Sequence, residues 1–206
     1  MNLFINKVKF NKYLISKKIN NLFILLILIC PNYIISQNES GYFQQRTDYY
    51  IDCTLNETSN LLTGNVKIIY FNQSPDVLDK IGMHLWPNAY SNKMTDFAKQ
   101  KLLHRSTRFL DAEFEQQGFI KIKSLTVNGL NSKLDYLKNK PDMAWLRLNQ
   151  VLKPKDSLVI NAQFELKIPE SFSRLGHVEN SYQITQWYLK PAVYDQKGWH
   201  LFPYLD

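Results

Sequence analysis

The residues with the widest chemical range are four histidines, His84, His104, His177 and His200. A helical catalytic zinc site needs two imidazoles at i and i+4 on one face, with a carboxylate placed to activate water. No histidine here has another four residues away, and none begins H-E-x-x-H. His200 with Asp195 and Asp206 offers a set of metal-ligand types, though such groups more often cap turns or face water. Asp111, Glu113 and Glu115 form an acidic cluster. Paired catalytic carboxylates need a shaped cleft, and a polar loop offers solvent instead. No G-x-S-x-G nucleophile motif is present, and the seven glycines include no G-x-G-x-x-G run for a nucleotide phosphate. The sequence therefore supplies no catalytic residue and no metal-ligand set, and no cofactor is expected in this chain.

These side chains have to be positioned by strands. Thr47–Leu55 alternates, with Tyr49, Ile51, Cys53 and Leu55 on one face, which predicts a half-buried strand with Cys53 in the core. Leu61–Phe71 puts Leu62, Val66, Ile68 and Tyr70 together. Val77–Trp86 sets Ile81, Met83 and Leu85 against His84 and Trp86, and Pro87-Asn88 ends it. Ser91–His104 reads as a helix, with Met94, Phe97, Ala98, Lys101 and Leu102 at helical spacing and Ser91 or Asn92 as cap. Arg105–Gln117 reads as a loop. Strands resume at Gly118–Val127, and Asn128-Gly129 is a tight-turn dipeptide. Lys133–Leu137, Ala144–Leu148, Ser157–Ile168 and Tyr182–Gln186 follow. Short strands separated by turn signals predict an all-β fold, a β-sandwich with one short helix.

The chain has 206 residues and a formal net charge of +7. Lys7, Lys9, Lys12, Lys17 and Lys18 precede the apolar run Leu22–Cys30. Pro31 and Asn32 end that run, and Ser36 offers a small residue. Residues 1–36 therefore read as a signal peptide cleaved near Ser36. The run is shorter than the roughly 20 residues needed to span a bilayer. A membrane partner is expected only if this leader is retained. Cys30 suits lipidation poorly, because Ile29 precedes it. Without the five lysines the chain keeps 20 basic and 18 acidic residues. The basic excess then disappears, and with it the case for nucleic acid. Cys53 would be the one cysteine left, so no internal disulfide is expected.

The last stretch, Tyr182–Asp206, is dense in aromatic residues and broken by Pro191, Gly198 and Pro203. After Gln186 it has no period of 2 or 3.6. Trp187, Tyr188, Tyr194, Trp199, Phe202 and Tyr204 bring a large apolar surface, since aromatic side chains bury roughly 150–250 Å² each. The expectation is a tail whose rings stay exposed, and which frays, unless a partner covers them.

Parts of this stretch resemble a known family. Thr185-Gln186-Trp187-Tyr188 resembles the Thr-Gln-x-Glu segment of the aminopeptidase N family of zinc metallopeptidases (gluzincins), which includes leukotriene hydrolase. Pro203-Tyr204-Leu205-Asp206 is similar to that family's Pro-x-Phe-Asp. The full run TQWYLKPAVYDQKGWHLFPYLD, with His84–Gln100 and Ile168–His177, resembles secreted members from Bacteroidetes-type bacteria. The resemblance runs from about Gly41 to Asp206.

The resemblance implies that residues 41–206 are the N-terminal β-sandwich domain of such an enzyme, truncated before the catalytic domain. It implies a secreted or periplasmic zinc enzyme that releases N-terminal residues from peptides, with zinc held by motifs outside this chain. The family's Gly-x-Met-Glu-Asn loop is also absent here. By the same resemblance Gln186 and Tyr188 are the substrate-binding positions. Gln186 matches a glutamine that helps hold the substrate's N-terminal end. Tyr188 stands where a Glu or Gln belongs; a phenol offers an oxygen or a ring face rather than an anionic acceptor. On sequence alone Gln186 also reads as a strand-edge amide bonded to backbone. Two further readings stay open. One is a free-standing surface module that binds peptide or glycan through the aromatic stretch. The other is a membrane-anchored structural domain.

Overall fold

The computed structural model describes residues 42–206. The leader read over residues 1–36, with Cys30 and Ser36, lies outside the described residues. The elements run β1 Arg46–Asn56, β2 Leu61–Phe71 and β3 Leu78–His84, then a 3-10 turn at Trp86–Tyr90. Helices α1 Asp96–Leu103 and α2 Arg108–Asp111 and a 3-10 turn at Phe114–Gln116 follow. Next come β4 Phe119–Val127, β5 Leu130–Asn131, β6 Leu134–Leu137, β7 Lys140–Leu152 and β8 Ser157–Lys167. The chain closes with β9 Leu175–Val178, β10 Ser181–Ile184, β11 Lys190–Pro191, β12 Val193–Asp195 and β13 Gly198–His200. The fold is predominantly β, in open sheets.

The larger sheet has the order β1-β2-β8-β4-β5 and the second β11-β3-β7-β6, with small ribbons β9-β10 and β12-β13. Alternation sets the inner face. In β2, Leu62, Val66, Ile68 and Tyr70 are buried as the sequence predicts, opposite Leu166, Ala162, Ile160 and Leu158 of β8. In β4 the alternation breaks because a bulge at Lys123 adds one residue. Ile120 and Ile122 face Leu166 and Phe164, and after the bulge Leu125 and Val127 face Ala162 and Ile160. Between β4 and β5, Asn128 (φ 49°) and Gly129 (φ 81°) make the expected tight turn. One hydrophobic cluster takes residues from both sheets, including Ile81, Met83, Ala144 and Leu146 of β3 and β7.

Three expectations need correction. Cys53 is exposed rather than in the core. It lies on edge strand β1 opposite Gly64, which has no side chain to cover it. The helix begins later than Ser91 or Asn92 suggests. Thr95 is its cap: Oγ1 accepts from the Ala98 N–H at 3.2 Å and donates to the Ala89 carbonyl at 2.7 Å. Asn92 instead closes a turn, accepting from the Met94 N–H at 2.8 Å. Only Phe97 and Ala98 of the helix are buried, while Met94 is 77% exposed. Finally, Arg105–Gln117 is not a plain loop, because it holds α2 and the second 3-10 turn, with Phe109 buried.

The tail also departs from expectation, because the chain covers it with its own core. Leu189, Ala192 and Tyr204 are buried, and β11 adds to the β3 edge. A Cβ on Gly82 would stand 3.2 Å from the Trp199 ring and 3.3 Å from Ala192, so the tail lies directly on β3. Tyr204 enters an aromatic cluster with Tyr90 (5.5 Å between centroids) and Phe97 (5.7 Å). Of the tail's aromatic rings only Phe202 is mostly exposed.

Candidate functional site

The end of the tail is clamped from three directions. The Tyr204 N–H donates to Asp142 Oδ2 of β7 at 2.7 Å, and its hydroxyl lies 3.0 Å from Ser173 Oγ. Arg174 donates to the Leu205 carbonyl at 2.8 Å. Asp206 meets Lys101 of α1 and Ser173, and its N–H donates to Gln100 Oε1 at 2.8 Å. Burial pushes the Asp142 carboxyl above the usual carboxylate range, and the Tyr204 N–H opposes that by favouring the ionised form. The Pro203–Asp206 segment is thus a structural anchor within this chain.

That anchor separates the groups that composition offered as a metal site. His200 Nε2 stands 2.7 Å from Asp195 Oδ2 in the β12-β13 hairpin. Its contact holds the Asp195 carboxyl below the usual range, helped by the Lys197 N–H. Asp206 belongs to the clamp on α1, so the three do not form a site. Among the described residues no three His, Cys, Asp or Glu side chains group as metal ligands. The zinc that the resemblance implies finds no set of ligands among the described residues. Asp111, Glu113 and Glu115 are exposed. Glu113 serves the capping box of the second 3-10 turn, a solvated role.

Gln186 and Tyr188 have different partners. Tyr188 packs edge-on against Tyr49 of β1 at 5.1 Å and against Trp187 at 5.4 Å. Trp187 in turn packs on Phe164. Gln186 has φ 53°, a left-handed conformation uncommon for a non-glycine residue. It is not a strand-edge amide bonded to backbone: its Oε1 accepts from Lys190 Nζ at 2.8 Å. Thr185 fixes the approach by donating to the Arg174 carbonyl at 2.5 Å.

Lys190 completes a small cluster. Its Nζ sits 3.6 Å from the centroid of the Trp86 ring, and His84 stacks on the same ring at 4.8 Å. Trp86 Nε1 donates to the Phe202 carbonyl at 3.3 Å, and the Phe202 N–H donates to His84 Nε2 at 3.2 Å. Burial lowers the His84 imidazole to about 4, aided by the Lys190 charge, so it is neutral at pH 7. Burial also lowers the Lys190 ammonium to about 8. Sequence reasoning did not single out Lys190 or Trp86. The usable signal was a lysine just before Pro191 inside an otherwise aromatic run.

No protein-family model matches the chain, and no curated protein matches it. Among solved structures it is similar to a mutant two-domain M1 zinc metallopeptidase bound to L-tryptophan. The identity is 11% and the TM-score 0.39, over 65% of this chain and 23% of that one. It is similar to an M1 zinc metallopeptidase from Deinococcus radiodurans at 11% identity and TM-score 0.39, over 64% and 22%. A mutant of the Deinococcus radiodurans enzyme bound to a Tyr-Ser-Ala substrate gives 11% and 0.38, over 62% and 22%. The chain spans less than a quarter of these structures. A likeness of this size assigns no function to the chain.

Proposed function

We propose that the chain is the N-terminal β-sandwich domain of a secreted aminopeptidase N-type zinc metallopeptidase of the Bacteroidetes-type subgroup. In the whole enzyme a catalytic domain beyond this chain would hold the zinc and release N-terminal residues from peptides. This chain alone would not catalyse the reaction. Its partner is a peptide rather than nucleic acid, and its location is outside the cytoplasm after cleavage of the leader near Ser36. An intact mass of exported protein that still includes Met1–Cys30 would contradict that location.

One observation carries the reading. The residue that matches the family's substrate-holding glutamine, Gln186, has a left-handed backbone at φ 53°, and its side chain accepts from Lys190. Non-glycine residues in that region cluster at functional sites. In a longer product, Gln186→Ala should lower kcat/KM by the equivalent of about 1–2 kcal/mol, the loss of a hydrogen bond to a charged or strongly polar group. Tyr188→Phe should do less, because the ring keeps its packing on Tyr49. Unchanged kinetics in Gln186→Ala would return the residue to a structural role.

The self-covered tail favours a second reading, a free-standing surface module for peptide or glycan. Such a module needs no partner to order Trp187–Asp206, and the chain's own core already covers Leu189 and Tyr204.

A further inference from the structure

The second sheet ends at β6, whose outer edge pairs with no strand among the described residues. Register sets Leu134 opposite Leu146 and Tyr136 opposite Ala144, so both lie on the core face of that sheet. No further strand covers them, and Tyr136 stays 48% exposed. In the first sheet, β5 pairs only with Thr126 and Val127 of β4, so no strand lies beside Ile122 on that edge. Two cavities lie along this open margin. One, of about 550 Å³, is lined by Ile122, Leu125, Leu134 and Tyr136. The other, of about 630 Å³, is lined by Tyr136 again, with Met94, Leu137 and Pro141. The charges around both are of one sign. Lys123 and Lys133 line the first, Lys93, Lys99 and Lys140 the second, and no Asp or Glu lines either. Asp135 of β6 alternates to the other face and meets Arg147 at 2.6 Å. Lys99 and Lys140 share Asp96, and Lys123 meets Glu165 at 3.2 Å. Lys93 and Lys133 are exposed and have no carboxylate at ion-pair distance among the described residues. Lysines beside an edge strand also guard it against self-pairing, but a guard needs no lined cavity. A second copy of the chain would bring the same lysines to the same edge, whereas a segment of opposite charge is attracted.

We propose that the free edge of β6 is a docking site for an extended acidic peptide segment, which adds to the second sheet as a further strand. The segment's main chain pairs with β6, an apolar side chain enters beside Tyr136, and carboxylates reach Lys93 and Lys133 in the two cavities. Four residues of strand span about 13 Å, and alternate residues share a face. A segment of the form acid–x–aromatic–x–acid therefore turns all three side chains toward the cavities. The site uses none of Gln186, Lys190 or Trp86 and does not rest on the peptidase reading.

The test is an NMR titration of the 15N-labelled full chain at pH 7 and low salt. The probes are N-acetyl-Glu-Thr-Phe-Thr-Glu-amide, the same peptide with Gln for both Glu, and a short oligothymidylate. The acidic peptide should shift the amides of Leu134–Leu137 and slow hydrogen exchange there, as a new strand would. It should bind about tenfold more tightly than the Gln peptide, and about 0.5 M salt should remove that difference. Lys93→Gln and Lys133→Gln, checked for unchanged melting, should each weaken the acidic peptide about threefold, the size of an exposed ion pair. Lys67→Gln, on the outer face of the first sheet, should not. Tyr136→Ser should weaken both peptides alike. Equal binding of the two peptides, or binding with no added protection in β6, would overturn the site. Tighter binding of the oligothymidylate at the same amides would overturn the peptide as its occupant. Should the variants not fold, the wild-type comparison of the two peptides decides alone. None of these outcomes depends on a catalytic domain, so failure here is separable from failure of the peptidase reading.

Discussion

His84 shows how one buried side chain couples this fold to pH. Its imidazole is buried and lies near 4 in the folded chain, against about 6.5 when unfolded. Between these values the unfolded state binds more protons, so stability rises with pH across that interval and falls as pH drops from 6.5 toward 4. Thermal melting should show a lower midpoint at pH 5 than at pH 7, and His84→Gln should flatten that slope. An equal slope in the variant would assign the effect to other groups. Gln186 was legible at this scale only through the motif around it. Lys190 and Trp86 were not, because their contact joins residues far apart in the chain. No local period marks a lysine that will lie 3.6 Å from a ring centroid in the 3-10 turn after β3.

Strands were the most legible elements, because a sheet with one buried face writes period 2 into the sequence. Leu62, Val66, Ile68 and Tyr70 in β2 show it. Where the sequence misled, a specific contact won. Thr95 took the helix cap because its hydroxyl also donates to the Ala89 carbonyl, six residues back, a side-chain bond that apolar periodicity does not mark. The bulge at Lys123 moved the period of β4 by one residue. The tail has no period at all, since it is built from two-residue and three-residue strands and side-chain anchors. Its aromatic content suggested exposed rings, yet Leu189 and Tyr204 complete the core instead. Tyr204→Ala should therefore destabilise the chain by about 3 kcal/mol, as expected for a large buried ring, measured by chemical denaturation. Deleting Trp187–Asp206 should cost far more, because it removes β11, the Asp142 and Asp206 contacts and the cover over Gly82. A truncated chain with an unchanged denaturation midpoint would contradict this role of the tail.

At the scale of the molecule, the described residues form a β scaffold with an aromatic anchor at one end and the Gln186–Lys190–Trp86 cluster on its surface. That scaffold offers no set of metal ligands. The proposed function puts the catalytic part beyond this chain, and that proposal is the one most exposed to test. Reading the coding DNA beyond the codon for Asp206 tests it directly. The account predicts a frame, continuous or shifted, that encodes Gly-x-Met-Glu-Asn followed by H-E-x-x-H and a further Glu. A stop codon with neither motif encoded in any downstream frame would contradict the peptidase reading and leave the surface-binding module.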